Sequence, residues 1–185
     1  MRLFVALPIP ADLRTALDTA VQPLRDRASE GLSWTRAEGW HLTLAFLGTV
    51  PDDRVDTVVA VLGAVAGGAD AIDLASGAVG RFRRDVLWLG VDDEPAGAVA
   101  RLGEQVQQAL EAADLPVQRR DVHAHVTVAR SRRRAVDRSL VDRLEVPEVR
   151  WRATSLQLWS SRLGKGPARY AVEHDAPLGG RYPTW

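Results

Sequence analysis

A short motif occurs twice in this chain, and the spacing of its copies limits how the chain can fold. The first copy, within residues 40–48, reads His41-x-Thr43, and the second reads His125-x-Thr127, 84 positions later. Both lie in alternating, β-prone runs, and residues i and i+2 of a β-strand point to the same face. We therefore predict two strands that each present an imidazole and a hydroxyl side by side.

Other elements repeat with the same spacing. Leu3 precedes the first motif histidine by 38 positions, and Leu87 precedes the second by 38 positions as well. Residues 72, 74 and 76 match residues 156, 158 and 160 at the offset of 84. This ungapped offset predicts an internal duplication, with halves at about 1–80 and 85–185, each strand–helix–strand–helix–strand. Two lobes related by a pseudo-twofold axis would bring the two histidines together across a central cleft.

Hydrophobic periodicity places the elements within each half. The first helix contains Leu13, Leu17, Val21 and Leu24 at helical spacing, and we expect Asp12 to cap it. Residues 51–53 and 92–95 are each expected to open a further helix, and a short helix is expected at 136–144. Strands are predicted near residues 3–7, 40–47, 72–78, 86–91, 122–129, 149–160 and 170–173, with a brief extended piece at 34–36.

Composition excludes several classes of protein. The 185 residues include 24 basic and 24 acidic side chains, so no net charge attracts nucleic acid to the whole molecule. No cysteine is present, which excludes disulfides, thiol nucleophiles and cysteine-ligated zinc. The N-terminal apolar run is short and contains two prolines, unlike a signal peptide, and no stretch is long enough to span a membrane. We expect a monomeric cytoplasmic protein that does not bind membranes.

The paired motifs indicate acid–base chemistry at phosphorus. Histidine titrates near neutral pH, so one imidazole can accept a proton while the other donates one. An in-line displacement needs a base beside the entering oxygen and an acid beside the leaving oxygen, and two imidazoles related by a twofold axis supply both. The threonine hydroxyls can bind the non-bridging oxygens. No metal or other cofactor is required, and symmetry alone does not say which histidine is the acid.

Longer stretches around both motifs resemble a known family. Residues 34–48, residues 2–7 and residues 123–130 are similar to the bacterial and archaeal RNA 2′,3′-cyclic phosphodiesterases. These are also called 2′-5′ RNA ligases and belong to the 2H phosphoesterase superfamily. Residues 156–161 and 166–170 resemble the closing strands of that family, so the similarity covers essentially the whole chain. Ala124 stands where the family usually has proline, and we expect this to loosen the start of the second motif strand.

The resemblance implies a fold and an activity. The fold would be the α+β fold of 2H phosphoesterases, one bilobal domain over residues 1–185 with a mainly antiparallel sheet, helices on its outer face and the active site in the central cleft. The activity would be metal-independent hydrolysis of RNA 2′,3′-cyclic phosphate ends to 2′-phosphates. The substrates would be RNA ends, for example those of tRNA fragments, or small cyclic nucleotides. His41 would be the proton donor and His125 the proton acceptor, while Thr43 and Thr127 hold the phosphate. The same groups would join a cyclic end to a 5′-hydroxyl without ATP.

Residues just beyond each motif are candidates for substrate binding. Phe46 could stack a base, and Arg130 could pair with a phosphate. Packing in the core is an equally good interpretation of Phe46. The run Arg130, Arg132, Arg133 and Arg134 suits either an RNA-facing rim or a solvated turn. We expect Trp34 and Trp40 to lie in the core.

Other functions remain open at this stage. His123 and His125 share a strand face and could begin a metal site, but no carboxylate follows at ligand spacing and His174 stands alone. Asp121 or His123 could instead tune His125. The alternatives are another 2H activity, on an ADP-ribose cyclic phosphate or on 2′-5′ oligonucleotides, a metallohydrolase, and a non-catalytic RNA-binding module.

Overall fold

The alternating and helical patterns form nine strands and four α-helices in the part of the chain that the computed structural model describes, residues 1–27, 32–82, 85–131, 136–162 and 169–179. The first half contains β1 (Arg2–Pro8), α1 (Ala11–Arg27), β2 (Leu32–Trp34), β3 (His41–Thr49), α2 (Val55–Gly68) and β4 (Ile72–Phe82). The second half contains β5 (Val86–Glu94), α3 (Ala98–Ala112), β6 (His125–Ser131), α4 (Arg138–Arg143), β7 (Arg150–Ala153), β8 (Ser155–Arg162) and β9 (Arg169–Pro177).

The strands form one antiparallel sheet whose order is symmetric about its centre. The order is β7-β4-β5-β6-β3-β1-β8-β9, and β2 pairs beside β6. The two motif strands, β3 and β6, are central neighbours, β1 and β5 flank them, and β8 and β4 follow at equivalent places. The predicted α+β class is therefore confirmed. The repeated order supports an internal duplication, while the division of a single domain into halves at 1–80 and 85–185 stays a prediction.

The helices pack on one face of this sheet, and the alternation of side chains in β1 shows which face it is. In β1, Leu3, Val5 and Leu7 join the main apolar core, whereas Phe4 and Ala6 belong to a small separate cluster on the other face. The main core also includes the apolar faces of α1, α2 and α3. The helices thus cover the outer face and leave the motif face open. Within the described ranges, no helix is both long and apolar enough to cross a membrane.

Several predicted boundaries are corrected by the structure. The acidic residues expected to open α3 extend β5 instead, and Asp93 accepts hydrogen bonds from the backbone N–H groups of Gly97 and Val99, at 2.9 and 2.7 Å. It thereby satisfies donors that α3 leaves free at its N-terminus.

Two further sets of boundaries differ from the prediction. Asp12 lies inside the first turn of α1 and is not its cap. The predicted strand at 149–160 is two strands, β4 and β9 are longer than expected, and β6 begins only at His125.

A buried amide connects α3 to the first motif strand. Gln107 is 3% exposed, and its Nε2 donates to the carbonyl oxygens of Leu44, at 3.1 Å, and Arg120, at 3.0 Å. Its Oε1 accepts from the backbone N–H of Arg120 at 3.0 Å. A single side chain therefore fixes both the motif strand and the segment before the second motif.

We predict that Gln107→Leu lowers the free energy of unfolding by about 2–4 kcal/mol, because the buried backbone groups lose their partners. Urea unfolding followed by circular dichroism measures this difference. The matched control is Gln108→Leu, since the Gln108 amide makes only an exposed contact with Glu104. A loss of stability that is equal in both variants would contradict the role given to Gln107.

Candidate active site

The two motifs meet where β3 and β6 pair. The pairing partners are Leu42 and Val126, which are themselves 84 positions apart. In that antiparallel register, His41 lies opposite Thr127 and Thr43 lies opposite His125. All four side chains share the face turned away from the core, because Leu42 and Val126 are buried in it. Diagonal neighbours in such a register have Cβ atoms about 7–8 Å apart, so the two imidazoles can flank one tetrahedral group.

The motif strands separate beyond this pair because each gains a different partner. β6 pairs with β2, where Trp34 lies opposite Ala129. β3 is bridged instead by Gln118, whose backbone N–H donates to the Phe46 carbonyl at 2.8 Å. Trp34 and Gln118 are again 84 positions apart. The same separation of strands on both sides opens the cleft.

Equivalent β-bulges turn Phe46 and Arg130 into this cleft. Strict alternation would place Ala45 and Ala129 on the motif face, yet both are buried in the core. The register shifts between Val5 and Ala6 where β1 pairs with β3, and between Leu87 and Trp88 where β5 pairs with β6. A bulge adds one residue and re-aims the next side chain. Phe46 and Arg130 consequently line the cleft with the motif residues.

The cleft has a volume of about 140 Å³. Of the predicted site residues, His41, Thr43, Thr127, Phe46 and Arg130 line it, and His125 shares their face of the sheet. Sequence reasoning missed the other lining residues, which come from several segments: Arg2, Leu3, Phe4, Thr35, Gly39, Gly48, Gln118, Ser161 and Tyr170. Only the twofold register links these segments to the motifs, since none carries a motif of its own.

The two histidines are oriented in the same way. Nδ1 of His41 lies 2.7 Å from the Gly39 carbonyl oxygen, and Nδ1 of His125 lies 2.7 Å from that of His123. A carbonyl oxygen only accepts, so Nδ1 carries the proton in both rings and Nε2 is left for chemistry. Gly39 must be glycine, because a Cβ there would lie 2.8 Å from the Tyr170 ring.

Desolvation makes both imidazoles weak bases. Burial lowers the pKa of His41 from 6.5 to about 4, opposed by the hydrogen bond to Gly39 and assisted by the charges of His125 and Arg130. Burial also lowers the pKa of His125, with the hydrogen bond to His123 opposing it and the charges of Arg130 and His123 adding to it. Lowered pKa values favour the neutral form of both rings at pH 7.

The surroundings of the two histidines differ. The His41 ring lies among Phe4, Trp159 and Tyr170, with centroid distances of 4.7, 5.3 and 5.5 Å. The His125 ring contacts Phe82 edge-on, at 4.9 Å. Aromatic faces favour a nearby cation. The two motifs are equivalent, but the side chains that surround their histidines are not.

The remaining candidates occupy varied positions. His123 is exposed on the approach to β6, His174 lies in β9, and no cluster of three metal-ligating side chains occurs among the residues that the structure describes. Trp40 is 1% exposed in the core, as predicted. Trp34 is partly buried and packs against the core. Arg132, Arg133 and Arg134 lie outside the described residues, so the proposed arginine rim is represented by Arg130 alone.

A family model described as the 2′-5′ RNA ligase superfamily matches residues 13–165. The chain belongs to this superfamily. Proteins named RNA 2′,3′-cyclic phosphodiesterase are similar to it, at 23% identity in Thermotoga maritima, over 97% of both chains, and at 26% in Escherichia coli, over 91% of this chain and 92% of the other. A Geobacillus stearothermophilus protein of that name is 29% identical over 69% of this chain, which spans 41% of that longer protein.

Solved structures share the fold of this superfamily member. The Thermus thermophilus protein TT0787 has a TM-score of 0.75 at 26% identity, and the match covers 98% of this chain and 100% of that one. Escherichia coli LigT with 3′-AMP bound also has a TM-score of 0.75, at 23% identity, covering 97% of this chain and 98% of that one. The predicted 2H phosphoesterase fold is therefore confirmed.

We predict that His41 makes stability depend on pH. Its pKa is about 4 in the folded chain and near 6.5 when unfolded, so the unfolded state binds more protons between these values. The free energy of unfolding should fall as pH drops from 6.5 to 4, by at most about 3 kcal/mol, because the partly exposed ring is also screened by solvent. Unfolding titrations of wild type and His41→Gln across this range should differ in slope, and equal slopes would contradict the lowered pKa.

Proposed function

We propose that this chain hydrolyses RNA 2′,3′-cyclic phosphate ends to 2′-phosphates, with His41 as the acid and His125 as the base. The arrangement that carries the proposal is the pair of imidazoles on one face of the sheet, beside the cleft that His41, Thr43 and Thr127 line, with each Nδ1 hydrogen-bonded to a carbonyl so that Nε2 is left for chemistry. The five curated relatives carry the name RNA 2′,3′-cyclic phosphodiesterase and come from bacteria and an archaeon. The chain is thus a cyclic phosphodiesterase, and the proposal concerns its product and the role of each residue.

The reaction opens the five-membered phosphate ring by in-line displacement. Neutral His125 takes a proton from water through Nε2 as the water oxygen bonds to phosphorus. The bond from phosphorus to O3′ breaks on the opposite side, and charged His41 donates its Nε2 proton to that oxygen. The product carries a 2′-phosphate and a free 3′-hydroxyl. Protons balance, because one histidine gains the proton that the other loses.

The threonines stabilise the charge that gathers on the two non-bridging oxygens. Each hydroxyl lies opposite the histidine of the other motif, so a phosphate between the imidazoles can accept a hydrogen bond from each threonine. Donors that are already oriented need little rearrangement in the transition state. Arg130 adds positive charge at the rim. Phe46 offers a ring at the opposite bulge, where a base of the substrate can stack.

The assignment of His41 as the acid follows the family resemblance and requires bound phosphate, because burial lowers the pKa of this ring. The acid must carry a proton when substrate is bound, and the bound phosphate supplies a counter-charge that raises the pKa of the neighbouring imidazole. The rings of Phe4, Trp159 and Tyr170 surround His41, and their attraction for a cation, about 0.5–2 kcal/mol, offsets part of the desolvation that lowers its pKa. His125 contacts one ring, that of Phe82, and the charge of Arg130 lowers the pKa of both imidazoles.

The proposal has further parts that rest on the same site. A 5′-hydroxyl in place of water would give a 2′-5′ linkage without ATP, in keeping with the name of the superfamily. The natural substrates would be RNA ends, including those of tRNA fragments, or small cyclic nucleotides. We also propose that the protein is cytoplasmic and monomeric.

The direct test uses an oligonucleotide that ends in a 2′,3′-cyclic phosphate, incubated with the protein in EDTA. We expect conversion to the 2′-phosphate, resolved from the 3′-phosphate by chromatography, because O3′ is the leaving oxygen. A 3′-phosphate product would reverse the proposed geometry. Binding without turnover would favour an RNA-binding module, and inhibition by EDTA would favour a metallohydrolase.

His41→Ala and His125→Ala serve as the corresponding variants in this assay. Each should lower kcat at least about 10²-fold, the usual contribution of a positioned acid or base. His174→Ala, on β9, is the matched control and should retain the wild-type rate. Circular dichroism of each variant excludes unfolding as the cause. Near-normal turnover by either motif variant would contradict the paired mechanism.

The rate should depend on pH in a way that follows from the lowered pKa values. The active free enzyme holds one proton on the pair, and both imidazoles have a pKa below 6.5. We therefore expect kcat/KM to peak below pH 6.5 and to fall as pH rises above the higher of the two values. The decline of kcat should come at higher pH, since bound phosphate stabilises the charged acid. A kcat/KM optimum above pH 7 would contradict this.

A further inference from the structure

One end of the cleft carries a cation that the proposed chemistry does not use. Arg2 lies on β1 with Phe4 and Ala6 on its motif face, and it lines the cleft. The guanidinium makes no ion pair or hydrogen bond to any residue in the described ranges. The neighbouring α-amino group of Met1 differs, because Asp52 lies 3.4 Å from it. The charge of Arg2 is therefore directed to solvent in the cleft.

The groups around Arg2 are hydrogen-bond donors. Ser161 lines the same end and follows Ser160, which pairs with Leu3, so the β1–β8 register places Ser161 beside Arg2. Gln118 lines it from the other side of β3. The Gln118 Oε1 already accepts from an Arg120 guanidinium nitrogen at 3.0 Å. Its Nε2 group donates to no residue in the described parts of the chain and can donate to a ligand.

No carboxylate opposes these donors. The described residues that line the cleft include Arg2 and Arg130 but no Asp or Glu. Guanidinium, amide N–H and hydroxyl groups without an acidic neighbour are suited to bind phosphate. Gly48, at the same end, has nothing within 4 Å of the position of a Cβ, so space is available there.

The separation of this end from the reacting groups matches one nucleotide. Phe4 contacts the His41 ring, and Arg2 lies two positions further along the same strand, about 7 Å away at the usual rise of a β-strand. A guanidinium on its flexible stem covers a further few ångströms. In an RNA end bound by its cyclic phosphate, the next phosphate along the chain is the one at the 5′ side of the terminal nucleotide.

We propose that Arg2, Gln118 and Ser161 form a second phosphate subsite, which binds the 5′-phosphate of the nucleotide whose cyclic phosphate is opened. The subsite rests on the proposed function, since it is defined relative to the cyclic phosphate. It selects RNA ends and 5′-phosphorylated nucleotides over nucleosides that carry only the cyclic phosphate. Phe46 lies between the two phosphate positions, where the terminal base or ribose passes.

The test compares adenosine 2′,3′-cyclic phosphate with the same compound bearing a 5′-phosphate. We expect wild type to prefer the 5′-phosphorylated substrate by about tenfold or more in kcat/KM, corresponding to about 1.4 kcal/mol. Arg2→Gln should bring this preference close to one. Arg2→Lys, which keeps the charge but loses the planar fork, should retain part of it. Arg138→Gln, on the exposed surface of α4, should keep the wild-type preference.

The outcomes separate the two proposals. A wild-type enzyme that opens neither substrate contradicts the proposed function. A wild type that opens both equally, or an Arg2→Gln variant that keeps the full preference, contradicts the subsite alone. The preference is a ratio within one variant, so partial unfolding of a variant does not imitate its loss.

Discussion

The pairing of Leu42 with Val126 is the contact on which the rest of the site depends. These residues occupy equivalent places in the two halves, so the approximate twofold axis passes through their pair. They point into the core, which forces the residues on either side of each onto the opposite face. A slip of one residue by either strand would bury the histidine of that strand and expose its apolar side chains, and the cost of that exchange fixes the register. β2 and Gln118 then hold the strands apart.

In the proposed reaction, the twofold symmetry supplies two imidazoles, and the differences between their surroundings bear on which is the acid. The main-chain carbonyls of Gly39 and His123 set the same tautomer in each imidazole. Beyond them, equivalent positions diverge, because Ala6 on β1 and Trp88 on β5 occupy the same place opposite Thr43 and Thr127, and Phe46 corresponds to Arg130. An acid and a base require different proton affinities at one pH, so identical surroundings would serve neither role well. The three aromatic rings around His41 and the single ring beside His125 make the two surroundings different.

The motif face and the fold class could be predicted because both follow from period-two alternation and from the fixed offset. The places of Phe46 and Arg130 could not, since a bulge changes the register by one residue without leaving a mark in composition. Alternation alone would have chosen Ala45 and Ala129. Arg2 and the other distant lining residues were missed for another reason. They reach the cleft through pairing between strands far apart in sequence, and only the motif carries a signal of its own.

In the proposed mechanism, the arginines of the cleft attract the substrate and the two histidines hydrolyse it. The chain as a whole has no net charge, and burial opposes the charged forms of His41 and His125. The arginines of the cleft keep their charge regardless, so they supply the local attraction for phosphate within the short range that salt permits. Once the anion displaces water, the same low dielectric that discharged the imidazoles strengthens the attraction between phosphate and imidazolium. In the proposed mechanism, the bound substrate thereby raises the pKa of the histidine that acts as the acid.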